Sequence, residues 1–263
     1  MLNICRRASA MVDGYCNQPL RATVDTESLA GPGDIRFQLQ PAGVARLVVS
    51  RSPVTQIVSA RYANAASFPR NWQTIPANQL APEKPLLGVY GSSAPGSAAD
   101  SGGQAILLAP GYADWSFGRG STLVEVTYIN GWPHGSVTAN ASVGATSLQV
   151  DDCTGWSGAV ATVFDAGNEE PISVTSTSAT SGPGTLTLAA PLTYAHTAGT
   201  LVTTLPEQVM WATILFATAQ ALTRGATATA VQGSRGSAGG GGRDAEALVE
   251  EAELLIHPFR RVV

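Results

Sequence analysis

The sequence predicts an α+β fold: a small helical bundle made from the N- and C-terminal helices, with a large, mainly antiparallel β region inserted between them. Three observations carry this. Apolar residues recur every three to four positions at both ends of the chain, as one face of a helix requires. Between them lie short β-branched or alternating runs punctuated by Gly, Pro, Asn and Asp. The change from one pattern to the other falls at two prolines, Pro19 and Pro206.

Residues 1–20 form the first segment. Leu2, Cys5, Ala8, Met11, Val12 and Tyr15 share the spacing of a short amphipathic helix over 2–17. Asn17-Gln18-Pro19 ends it, because a residue before proline is pushed out of the helical region.

Residues 21–135 read as β structure, with strands at Arg36–Leu39, Ala45–Val49, Thr55–Ser59 and Leu123–Tyr128. The run from Gly91 to Gly103 has nothing apolar to bury and reads as a mobile loop. Residues 136–205 form an inserted small barrel or sandwich, bracketed by Pro133 and Pro206. Its strands are expected near 146–150, 159–164, 171–177, 185–189 and 200–204.

Residues 206–263 hold the C-terminal helices, a Gly-rich loop and a tail. The helix 206–224 starts with Pro206 at its first position and ends on Arg224, with Gly225 just beyond. Trp211, Ile214, Leu215, Phe216 and Leu222 leave little of its surface polar, so it needs cover on most sides. A flexible stretch, 226–242, leads to a helix over 244–257 with Leu248, Ala252 and Leu255 on one stripe, stopped by Pro258.

Composition narrows the function. With 263 residues, 44% apolar, and a net charge of only −4, the chain has the material for real cores and is not globally disordered. Its longest apolar run falls short of a membrane-spanning helix, and a pI near 5.3 does not suit a general nucleic-acid binder. The N-terminus lacks the long apolar stretch of a secretory signal. Cys5, Cys16 and Cys153 are an odd number. The first two lie about 16 Å apart if helical, too far for a disulfide, so a reducing cytoplasm is expected.

Catalytic signatures are missing. The single lysine, Lys84, rules out a phosphate-binding GxxxxGK loop, and HExxH, CxxC and a strand-borne GxSxG do not occur. His134, His196 and His257 lie in separate segments without ligand spacing and read as turn or helix-end residues. Asp151, Asp152, Asp165, Glu169 and Glu170 read as a solvated or subunit-contacting acidic face, with calcium binding and acid/base work as lesser alternatives. Trp115, Trp132 and Trp156 read as packing residues rather than sugar-stacking platforms. No catalytic, cofactor-binding or metal site is expected, and no cofactor. Charge is uneven. Residues 1–70 carry eight Arg against four acids, residues 71–223 two bases against ten acids, and the rest five against five.

Several stretches resemble the head-to-tail connector (adaptor) proteins of long-tailed bacteriophages. The opening helix ending in Val12-Asp13-Gly14-Tyr15-Cys16-Asn17-Gln18-Pro19-Leu20 is similar to the family's start. The Ala-rich helix to Ala221-Leu222-Thr223-Arg224-Gly225, the Gly-rich loop and the finish Leu254-Leu255-Ile256-His257-Pro258-Phe259-Arg260-Arg261-Val262 resemble its end. Val126–Pro133 looks like the actinobacteriophage version with an inserted β domain, and Val143–Val150 like a β module widespread in phage structural proteins.

The resemblance implies a non-enzymatic structural protein of the virion, made in the host cytoplasm and sited at the head–tail interface. It implies a homo-oligomeric ring of about twelve copies, closed by a heterologous interface. The ring would sit beneath the portal protein, above a neck, stopper or tail-completion protein, with genomic DNA passing through its lumen during packaging and ejection. Pro258, Phe259, Arg260, Arg261 and Val262 would then dock on the portal. Trp211, Ile214, Leu215, Phe216 and Leu222 would pack within and between subunits. An anionic lumen would let DNA slide without gripping it. Other neck or decoration proteins of a virion, and a carbohydrate-binding β module, are the alternative readings.

Overall fold

The computed structural model describes residues 2–31, 36–39, 45–64, 67–82, 105–108, 122–230 and 240–260. It has the α+β arrangement expected: helices from the two ends of the chain flank a large antiparallel β region inserted between them. The chain divides into two compact units, one of Met1–Leu20 with Leu205–Val263, the other of Arg21–Thr204.

The first unit is helical. It contains α1 (Leu2–Cys16), α2 (Glu207–Ala230) and α3 (Gly240–Ile256), and a 3-10 turn, His257–Phe259, follows α3. α1 closes in a Schellman motif: Asn17 takes a left-handed φ of 55°, its N–H bonds the Gly14 carbonyl at 3.3 Å, and the Gln18 N–H bonds the Asp13 carbonyl at 3.2 Å. The Asp13 carboxylate then accepts the Leu20 N–H at 3.0 Å, and burial holds its pKa above the usual value despite that bond.

α2 packs along both other helices through Val209, Ala212, Phe216 and Ala219, which are buried. α1 answers with Ala8, Val12 and Cys16, and α3 with Ala245, Ala252 and Ile256. The Cys16 thiol sits 4.0 Å from the Ile256 carbonyl, and Gln18 Nε2 donates to the Phe259 carbonyl at 3.3 Å. Farther up α1, Met11 meets Gln220, late in α2, so α1 runs against α2 and in the same direction as α3.

The second unit holds fourteen strands among the described residues. β1 (Thr23–Gly31), β8 (Thr122–Asn130), β4 (Val54–Asn64) and β5 (Gln73–Ile75) form one sheet in that order. β2 (Phe37–Leu39), β3 (Ala45–Val48), β7 (Ala105–Leu108) and β6 (Leu80–Pro82) form a second. Leu29, Leu47, Val54, Ile106, Val124 and Tyr128 are among the residues of a shared core, the interior of a sandwich.

A third sheet runs β10 (Ser147–Val150), β13 (Gly184–Leu188), β12 (Glu170–Thr177), β11 (Val160–Phe164), β14 (Leu201–Thr203) and β9 (His134–Ser136). A bridge between Val137 and Val150 joins its two ends, which removes the open edges. Its own core includes Leu148, Trp156, Val163, Ile172, Leu186 and Val202.

Five expectations change. The buried stripe of α1 is Ala8–Val12–Cys16, and Cys5 and Met11 are exposed, because the helix turns a different edge to α2 and α3. α2 runs through Gly225 to Ala230 instead of ending at Arg224. One glycine costs a helix only about 1 kcal/mol, less than the Ala-rich run around it restores. Pro206 stands just outside α2, its carbonyl accepting the Val209 and Met210 N–H groups at 2.9 and 3.3 Å. α3 starts earlier, at Gly240, so the linker 226–242 shrinks from both sides. Strands β1, β5, β6, β7 and β9 go beyond the expected set, being short or interrupted by polar residues. The loop from Gly91 to Gly103 lies outside the described residues.

Candidate functional site

α2 carries two opposed faces. Val209, Ala212, Phe216 and Ala219 recur at helical spacing and are buried within the unit. On the far side Trp211 and Ile214 are each 53% exposed and Leu222 is 40% exposed, with Leu215 half-buried beside them. Of the five apolar residues expected to pack on this helix, the chain therefore buries Phe216 alone. Trp211 Nε1 reaches only a helical neighbour, Glu207 Oε1, at 3.3 Å. Trp211, Ile214 and Leu222 leave an apolar side of α2 open to water among the described residues.

The segment expected to dock on a partner is divided. Pro258 is exposed, while Phe259 is half-buried and its carbonyl holds Gln18. The Arg260 guanidinium lies 5.4 Å from the centre of the Tyr15 ring, a cation–π contact that ties it to α1. Arg261 and Val262 lie outside the described residues.

Of the five acids expected on a solvated face, Asp151 and Glu169 are exposed, while Asp152 and Glu170 are structural clamps. Asp152 accepts the Thr154 N–H and hydroxyl at 2.9 and 2.6 Å, the Gly182 N–H at 3.1 Å and the Arg21 guanidinium at 2.9 Å. Burial pushes its pKa up, but these donors outweigh burial and hold it below the usual carboxylate value. Asp151 accepts the Ser136 N–H at 2.7 Å. Glu170 is buried and accepts the Thr193 and Tyr194 N–H groups at 2.8 and 3.1 Å. Glu169, just before β12, is exposed.

His196 is not a turn residue at the surface. It is buried, with Nε2 on Glu170 and Nδ1 on Asp165. His134 is half-buried with Nδ1 on the Thr203 hydroxyl at 3.0 Å, and burial lowers its pKa. His257 is exposed in the turn after α3. Among the described residues no three His, Cys, Asp or Glu side chains are grouped to hold a metal ion.

The tryptophans follow the packing reading where they are described. Trp132 and Trp156 are buried, and Trp156 Nε1 donates to the Asp152 carbonyl at 2.8 Å. Trp115 lies outside the described residues. Among the described residues no helix is long and apolar enough to cross a membrane.

Much of the arginine excess in residues 1–70 is matched locally. Arg21, Arg36, Arg51 and Arg61 face Asp152, Glu27, Asp25 and Glu125 at 2.9, 3.3, 3.6 and 2.7 Å. Arg6 and Arg7, exposed on α1, have no acidic partner among the described residues. Compared with known proteins, the chain matches no family model, no curated protein and no solved structure.

Proposed function

We propose that the chain is a structural, non-enzymatic virion protein, a head-to-tail connector. It forms a ring of about twelve copies beneath the portal, joins the DNA-filled capsid to the neck, and lets the genome pass through its lumen. One observation supports this reading above the others. The two ends of the chain build one helical unit whose central helix leaves Trp211, Ile214 and Leu222 uncovered. A helix whose second apolar face stays in water is stable in an assembly, where another chain covers it. The inserted β region is a separate module with cores of its own.

Docking on the portal falls to the tail from Pro258 on, of which Pro258 is exposed, while Phe259 and Arg260 already serve the helical unit. The deciding measurement is quantitative mass spectrometry of purified virions, counting this chain against the portal protein. About equimolar amounts are expected of two stacked rings of similar size. A large excess would make it a decoration or tube protein, and absence from virions would refute the proposal.

A further inference from the structure

We infer that successive copies join through the outer faces of α1 and α3, with Leu254 of one copy seated over Gly14 of the next and Arg6 and Arg7 facing Glu246 and Glu250. This rests on the ring reading and specifies its interface.

The two faces are complementary in charge. On α1 the residues turned away from the core are Arg6, Arg7, Ala10 and Gly14, all exposed. On α3 they are Glu246, Ala247, Glu250, Glu251 and Leu254, also exposed. Within one copy, no ion pair among the described residues joins Arg6 or Arg7 to these glutamates. Opposite charges held apart on two sides of one molecule favour head-to-tail contact between molecules and oppose like-to-like contact.

The faces also fit in shape. Leu254 is 77% exposed, a large apolar side chain with no cover of its own. A Cβ placed at Gly14 would meet nothing within 4 Å, so open space stands over the α1 backbone there. Ala10, one turn earlier, keeps that strip flat. A leucine above a small-residue strip is the knob-and-hole arrangement by which helices approach closely.

Register supplies the third match. α1 and α3 run in the same direction, and the Cys16 thiol reaches the carbonyl of Ile256, 240 positions later, at 4.0 Å. Rotating one copy about an axis along the helices preserves height, so partners across the contact keep that offset. Position 6 then meets 246, 10 meets 250 and 14 meets 254. Arg6 with Glu246 and Gly14 with Leu254 fall into line without any axial shift, as a closed ring demands and a climbing filament does not.

The test mixes two differently tagged full-length chains in a Cys5→Ser background, one carrying Gly14→Cys and the other Leu254→Cys. Mild oxidation is expected to give a disulfide between the two kinds of chain, and none from either chain alone. A parallel variant, Arg6→Glu with Arg7→Glu, is expected to weaken self-association by on the order of tenfold or more. Adding Glu246→Arg with Glu250→Arg is expected to restore it, with circular dichroism showing the helices intact throughout. Closed oligomers that form without the mixed disulfide, or that ignore the charge reversal, would overturn this interface and leave the ring standing. A chain that stays monomeric at every concentration, without the mixed disulfide, would overturn the interface. Virion copy number then decides separately whether the connector reading falls with it.

Discussion

The imidazole of His196 is clasped between two carboxylates, with Nε2 at 2.8 Å from Glu170 and Nδ1 at 3.3 Å from Asp165. The ring is buried, and Glu170 also takes two backbone N–H groups, from Thr193 and Tyr194. One carboxylate thus fastens the 193–196 segment to β12. Glu170→Ala removes a buried carboxylate that holds three groups, and is expected to destabilise the barrel by about 3 kcal/mol. Urea denaturation of the full chain followed by circular dichroism and tryptophan fluorescence checks this, and Glu169→Ala, on the exposed side, serves as the neutral control.

The same clamps set a pH limit. Glu170 is pushed up by burial, yet the N–H groups of Thr193 and Tyr194 and the His196 ring outweigh burial and hold its pKa below the ordinary 4.5. Asp152 is lowered from 3.8 in the same manner by Thr154, Gly182 and Arg21. A carboxylate depressed in the folded state contributes its full stability above the unfolded pKa and loses it as pH falls through the folded one. The barrel is therefore expected to hold its stability at neutral pH and lose it progressively below about pH 4.5. Thermal melts across an acid series test this, with Asp152→Asn flattening part of the slope.

Asn17 ends α1 with a positive φ, a conformation that costs a β-branched residue steeply and glycine nothing. Asn17→Gly is expected to be neutral within a few tenths of a kcal/mol, whereas Asn17→Val is expected to cost about 1–2 kcal/mol. Melting temperatures of the two variants compare directly, and equal values would show that the Schellman closure contributes nothing.

Trp211 and Ile214 lie outside the core of their own unit. Trp211→Ser with Ile214→Ser is therefore expected to change monomer stability by less than about 0.5 kcal/mol while weakening association with the chain that covers this face of α2. Phe216→Ala, on the buried face, is expected to cost about 3–5 kcal/mol. Sedimentation and thermal denaturation separate the two effects.

Periodicity and turn chemistry make the helices and most barrel strands legible, because each buries an apolar face that recurs at its own period. In the barrel the alternation is plain along β10, where Leu148 and Val150 face inward while Ser147 and Gln149 face out. β1 is hidden because Thr23–Gly31 carries Asp25, Glu27 and Ser28; its partners on β8, Tyr128, Val126 and Glu125, are about a hundred positions away. The buried stripe of α1 lies one edge away from the expected one, since several edges of that helix carry apolar residues and only the neighbours decide which is buried. The clasp around His196 joins residues 26 and 31 positions apart, with no spacing to give it away. The available clue is a histidine in a stretch nearly free of basic residues.

The thiol of Cys16 and the carbonyl of Ile256 meet although 240 positions separate them along the chain. α1 is made before the β region, and the two helices that cover its Ala8, Val12 and Cys16 are made after it. Only when α2 and α3 emerge does the helical unit close. A translation product cut short within the β region has no such unit, and its α1 keeps no cover for Ala8, Val12 and Cys16.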